Sequence, residues 1–429
     1  MKSLFNLLSD TTLSLLRPRQ HGVGAARAAR PQPSVVLRQE PETVDIDAAT
    51  EALIITCPDP TAEDAVRGRH IGAAQALVRQ ERWSEVSAMI GRADAAREMT
   101  PGAMPVADLM AYGARADVVM AVEHALLDGT PDEDAPVLEG IEALEHELAD
   151  HEGDPIIAAI VAGAHMDIGW YWRGTGWQAE LPERNRLAFE AHFDRAESIL
   201  QSVEDAESPL VAAQRCALLA GTSASVDRVA RSYERLIDLN PINPRPMRAL
   251  GTHLLPRWFG DLDALELQAR RTAARTIPQW GAGGYTWVMF DAVAHDDAAC
   301  ARLDVDFFID GLHDILARRP DAYTVNLLAA FCANAVGQVF SGNDEADQVR
   351  ACIADCAHWI VRDHLTELHP MIWAHAARGF DNNLTVGSPG RFAAAGRKDA
   401  MRLITRLFRQ EIAAGQRIVF GKTGAEVIA

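Results

Sequence analysis

The sequence predicts an all-α protein made of stacked antiparallel helix pairs, and three observations lead there. Alanine and leucine dominate a chain whose residues are 48% hydrophobic, and both are strong helix formers. Apolar residues recur three and four positions apart along most of its length, the period of a helix with one buried face. Runs of β-branched residues alternating with polar ones, the mark of strands, are nearly absent.

Taken in order, residues 1–16 form a short amphipathic segment. From Arg17 to Pro41 the chain turns basic and rich in Pro, Gly and Ala (RPRQHGVGAARAARPQP), so residues 1–41 read as a flexible basic arm. A helical region over 45–154 follows, then a repeat-like region over 155–380, then a C-terminal helix and tail over 388–429. Stops between helices are expected at DLNPINPRP (238–246), RTIPQWGAGG (275–284) and ARRPDAY (317–323). Pro209, Pro241, Pro278 and Pro320 thus recur at intervals of 32, 37 and 42 residues. Helix–turn–helix repeats give periods in this range, because one pair of helices cannot bury its apolar faces alone.

The stretch Val229 to Pro241 (VARSYERLIDLNP) resembles the second helix of a tetratricopeptide (TPR) repeat, with Tyr233 and Pro241 at matching separation and Ala217 at the small position of the preceding helix. Residues 155–335 are similar to an uncharacterised bacterial TPR-like domain family through AHMDIGWYWRGTGW (164–177), FEAHFDRAESIL (189–200), LLPRWFGDLDALELQAR (254–270) and FIDGLHDILARRPDAY (308–323). The resemblance implies a TPR-like superhelix and no particular activity.

Charge narrows the partners. A net charge of −19 argues against nucleic acid, which needs a cationic face. Between Arg115 and Arg173 stand 14 carboxylates and no Lys or Arg. That run reads either as a solvated face or as a surface for a basic partner, the protein's own arm included. The six cysteines form no C-x-x-C pair and read as buried thiols of a reducing compartment. Asn6, Ser9 and Asp10 interrupt the leading segment, which fails as a secretory signal, and Ile156 to Ala164 is too short to span a bilayer. A cytoplasmic protein is expected, with contact between residues 1–40 and anionic membrane as the alternative.

Chemistry-bearing patterns are few. Glu142, His146 and Asp150 share one helix face and offer a carboxylate-rich metal site, although the helical H-e-x-x-H pattern is missed because the second histidine, His151, comes one residue late. The doublets His295-Asp296 and His313-Asp314 have no spacing that joins them, and Asp296-Asp297 reads as a helix cap. Cys352, Cys356, His358, His364, His369 and His375 lie near one another in sequence but lack the tight ligand pairs of structural zinc. GQRIVFGKT (415–423) has five residues between its glycines where a phosphate-binding loop has four, and Gly281 to Gly284 reads as an interhelical loop. No cofactor is expected.

The candidate binding residues are Trp170, Trp172, Arg173, Trp177, Arg257 and Trp258, because Trp and Arg anchor binding sites. For Trp170 and Trp258 wedging between helices is the favoured role. Together these observations suggest a non-catalytic scaffold that binds a protein segment on a helical-repeat surface. A metal-dependent hydrolase using Glu142, His146 and Asp150 is the competing reading.

Overall fold

A computed structural model describes residues 50–126, 138–174, 181–337, 339–380 and 386–429. The amphipathic segment and basic arm, with Trp177 and Asp128 to Asp134 of the acidic run, lie outside the described residues.

The described residues are mostly helical. Helices α1 (Ala62–Val78), α2 (Trp83–Ala95) and α3 (Val106–Ala125) come first, then α4 (Glu139–Asp150), α5 (Pro155–Arg173) and α6 (Glu183–Ser202). There follow α7 (Pro209–Leu218), α8 (Val226–Leu239), α9 (Arg245–His253), α10 (Leu262–Trp280), α11 (Gly283–His295) and the short α12 (Asp297–Ala301). The chain continues through α13 (Val305–Arg318), α14 (Ala322–Ala330), α15 (Asp344–His364), α16 (Pro370–Ala376), α17 (Pro389–Leu407) and α18 (Arg409–Ala413).

Many helix starts are written in the sequence. Thr61 and Asp64 close a capping box on α1, while Asp154 and Ser208 cap α5 and α7 just ahead of a first-turn proline. Asp261, Asp304 and Asp321 cap α10, α13 and α14 in the same way, each accepting from backbone N–H groups that the helix leaves unpaired.

Burial sorts the helices into two sets. In α5, α7, α9, α11 and α14 nearly every residue is buried, and in α3 nearly every residue from Val106 to Ala116. Helices α4, α6, α8, α10, α13 and α15 bury one stripe and expose the rest. Each buried helix packs on a striped neighbour in the chain: α5 on α6, α7 on α8, α11 on α10 and α14 on α15. The buried helices also meet one another, α3 with α5, α5 with α7 and α9 with α11. Glycine permits the closest of these approaches, since a Cβ on Gly251 of α9 would collide with the Val288 carbonyl of α11. Two buried ion pairs cross the set, Arg115 to Asp167 at 2.6 Å and a bidentate Arg248 to Asp291 at 2.8 Å.

The stop expected at 275–284 falls at Gly281, φ +58°, with Pro278 in the last turn of α10. One expectation needs correction. The C-terminal tail is a β-hairpin, β2 (Arg417–Gly421) with β3 (Gly424–Ile428), and the first strand, β1 (Leu53–Ile54), pairs parallel with β2. Ile418 and Phe420 alternate inward on β2, and Gly424 turns the hairpin at φ +104°. The period-two signal was present but only four or five residues long.

This sheet joins the two ends of the described chain. Leu53 sits opposite Ile418, and Leu368 N–H donates to the Thr56 carbonyl at 2.8 Å. One hydrophobic core runs through the helices from Leu53 to Phe420. No described helix is long and apolar enough to cross a membrane.

Candidate functional site

Where the ends meet, a cavity of about 510 Å³ opens. Its walls are the segment Cys57 to Arg67 with the start of α1, Arg248 of α9, Tyr323 and Leu327 of α14, His369 to His375 on and before α16, and Pro389 to Arg397 of α17. The size is that of a small-ligand site. Leu327, Met371, Ile372, Phe380 and Ala393 supply apolar wall, and the charged lining is three arginines with Asp59, Glu63 and Asp64.

Two of the arginines are set apart by what they lack. Arg248 is committed to Asp291 and lies over the Phe290 ring at 4.8 Å. Arg67 is 5% exposed, yet its Nε and Nη2 have no hydrogen-bond partner among the described residues. It belongs to the buried stripe of α1 with Glu63, Ile71 and Ala74. Glu63, one turn before it, gives its oxygens to Thr100 Oγ1 and Gly102 N, both at 2.7 Å. Asp64 is held in the capping box by Thr61. Burial pulls the Arg67 guanidinium below the usual arginine value, with the Arg245 charge acting in the same direction; Tyr323, Glu63 and Asp64 oppose this. Arg397, at the exposed rim, makes no ion pair among the described residues.

The opposite wall is ordered by Asn326, which is wholly buried. Its Oδ1 accepts from His369 N at 2.9 Å and Trp373 Nε1 at 3.0 Å, and its Nδ2 donates to the Ala322 and Glu367 carbonyls. His369 Nε2 meets the Glu367 carboxylate at 2.8 Å, so Nε2 carries a proton. Nδ1, an acceptor in the neutral ring, is buried and has no partner among the described residues. Cys57 offers no ready nucleophile, because burial pushes its thiol up despite the Arg397 charge.

The residues singled out from sequence lie elsewhere, in several places. Trp170 is buried edge-on against Phe189 and Phe193 at 5.1 and 5.6 Å, and Trp258 packs against His253 at 5.3 Å. Trp172 is buried beneath the Arg184 guanidinium at 5.2 Å. Arg173 is half-buried and donates to the Gly174 carbonyl at 3.2 Å, while Arg257 is exposed. None of these lines the cavity.

Glu142, His146 and Asp150 are exposed on α4, and His146 Nδ1 lies 2.9 Å from the Glu142 carbonyl of its own helix. Among the described residues no group of three or more His, Cys, Asp or Glu side chains is placed to hold a metal ion. The doublets are separate: Asp296 caps α12, His313 stacks on Trp359 at 4.0 Å, and Asp314 accepts from Ala282 N at 2.8 Å.

The acidic run is partly neutralised within the fold. Asp117 pairs with Arg79, Asp167 with Arg115, and Glu145 with Arg195, leaving Glu139, Glu142, Asp150 and Glu152 exposed on and after α4.

Sequence reasoning set His369 and His375 beside the cysteines and did not consider Arg67. A signal for Arg67 existed: charged residues at 63 and 67 fall on the same helical stripe as Ile71 and Ala74. Compared with known proteins, the chain matches no family model, no curated protein and no solved structure.

Proposed function

We propose that the protein is a non-catalytic binding scaffold, its helix pairs stacked as a TPR-like superhelix, which seats a segment of a partner protein in the cavity between α1 and helices α14, α16 and α17. The observation that carries this reading is the unpartnered, buried Arg67 guanidinium on the wall of a 510 Å³ cavity. Leaving a buried donor unpaired costs about 1–3 kcal/mol or more when the group is charged, a cost that bound ligand removes. Glu142, His146 and Asp150 are exposed on α4, and no group of three metal-ligating side chains occurs among the described residues, so neither supports the hydrolase reading. The sign of the cavity also differs from the sequence expectation. Its free cation selects an anionic group, whereas the acidic run on α4 selects a basic one.

Photo-crosslinking in the native cell tests the proposal. A photoreactive residue at Met371, in the cavity wall, is compared with one at Leu267, exposed on α10. A discrete peptide adduct at 371 and none at 267 supports the scaffold. Equal labelling at both positions, or none at 371, counts against it.

A further inference from the structure

The scaffold reading leaves the chemistry of the occupant open, and the cavity walls restrict it. Arg67 is the one deeply buried arginine of the lining that has no anion of its own, since Arg248 is held by Asp291. One unsatisfied guanidinium balances one negative charge, and its planar fork matches a carboxylate. The lining also contains His369, whose buried Nδ1 has no partner among the described residues and in the neutral ring accepts from an N–H or O–H. Between them the lining is apolar, with Leu327, Met371, Ile372 and Phe380.

Resting on that scaffold reading, we propose that the cavity binds a carboxylate carried on an apolar body, and that the partner supplies it as its own C-terminus, entering carboxylate first. A C-terminal segment brings a carboxylate for Arg67, amide N–H groups for His369 and apolar side chains for the wall. A fatty acid of similar size brings the first and third but has no N–H donor. A phosphate monoester carries nearly two charges at neutral pH, and of the two guanidiniums of the lining left unpaired among the described residues only Arg67 is buried, Arg397 standing at the exposed rim.

Arg67 in this role is kept for the ligand at the expense of the empty fold. Its replacement by Met, similar in length and apolar, removes a buried unpaired charge. The variant Arg67→Met is therefore expected to melt at a higher temperature than the ligand-free parent, whereas an arginine with a purely structural role would give a lower one.

The test uses the full chain and probes of known composition. Binding of octanoate, octan-1-ol and octylamine to the parent, Arg67→Met and Arg67→Lys is followed by calorimetry and thermal shift. Octanoate should bind the parent about tenfold or more tighter than octanol, the worth of one charge-assisted hydrogen bond. Arg67→Met should bind the two equally, and Arg67→Lys should keep a reduced preference for the acid. Octanoate bound no better than octanol by the parent, or a preference that survives Arg67→Met, would overturn the carboxylate assignment while leaving the cavity as a ligand site. Failure of all three probes would overturn the cavity reading itself. Hexapeptides ending in Leu, Met or Phe, as free acids and as amides, then compete against octanoate. Displacement by the acids alone supports the chain-end source, and displacement by neither form overturns it in favour of a free organic acid.

Discussion

Glu63 and Arg67 stand one turn apart on α1, on the same buried stripe, yet share no hydrogen bond. The carboxylate turns instead to Thr100 and to the backbone of Gly102, and so ties α1 to the loop before α3. An ion pair that helical spacing would favour is given up, and the guanidinium is left for the cavity.

Glu63 is expected to be the more costly of the two to remove. Glu63→Ala leaves Thr100 Oγ1 and Gly102 N without their acceptor and should destabilise by about 1–3 kcal/mol. Glu63→Gln keeps one acceptor oxygen and should lose less. Chemical denaturation checks both, and an unchanged midpoint for Glu63→Ala would contradict the tie.

The Arg115 to Asp167 pair links α3 to α5, and both side chains are nearly inaccessible. Arg115→Met alone should cost about 3–5 kcal/mol, because Asp167 would remain buried without its counter-charge. The double variant Arg115→Met with Asp167→Leu should regain most of that loss. A double variant as unstable as the single one would show that packing, not the stranded carboxylate, dominates.

Acid sensitivity should trace in part to His253. The ring is wholly buried, its Nδ1 is hydrogen-bonded to the Tyr233 hydroxyl across 3.0 Å, and burial pushes its pKa down to about 3. The unfolded chain takes up this proton near the ordinary histidine value of about 6.5. As pH falls below that value the unfolded state binds more protons, so stability is full above it and is lost progressively toward pH 3. His253→Gln should flatten the fall in melting temperature between pH 6.5 and 4, whatever it does to the melting temperature at pH 8. An unchanged slope would remove His253 from the account.

Two glycines give opposite expectations. Gly68, on the exposed side of α1, has nothing near its missing Cβ, so Gly68→Ala should stabilise by about 0.5–1 kcal/mol. Gly251→Ala would push a methyl group into the Val288 carbonyl and should destabilise by about 1–3 kcal/mol or more. Paired melting curves of the two variants decide the matter.

How much of this the sequence disclosed depends on the range of the interaction. Helix starts at Thr61, Asp154, Asp261 and Asp321 were legible because a cap is read within four residues. The packing roles favoured for Trp170 and Trp258 agree with their burial, Trp170 against Phe189 and Phe193 of the next helix and Trp258 against its neighbour Phe259. The hairpin at 417–428 was missed because a strand this short gives too few alternations to stand out from a helical chain. The cavity was invisible for a different reason. Arg67, Arg248, His369 and Arg397 come from four separate stretches, and no spacing rule connects residues that only the fold brings together.

The pairing of Leu53 with Ile418 has a consequence for the order in which the protein can mature. During synthesis the first strand leaves the ribosome more than three hundred residues before the strand it must join. At about 5–20 residues per second, that is a wait of roughly 20–70 s. Throughout that interval the helices between them can pack on their neighbours, but β1 has no partner. Every residue that lines the cavity, from Cys57 to Arg397, is made before β2. The walls of the site therefore exist before the sheet that ties β1 to the far end of the described chain.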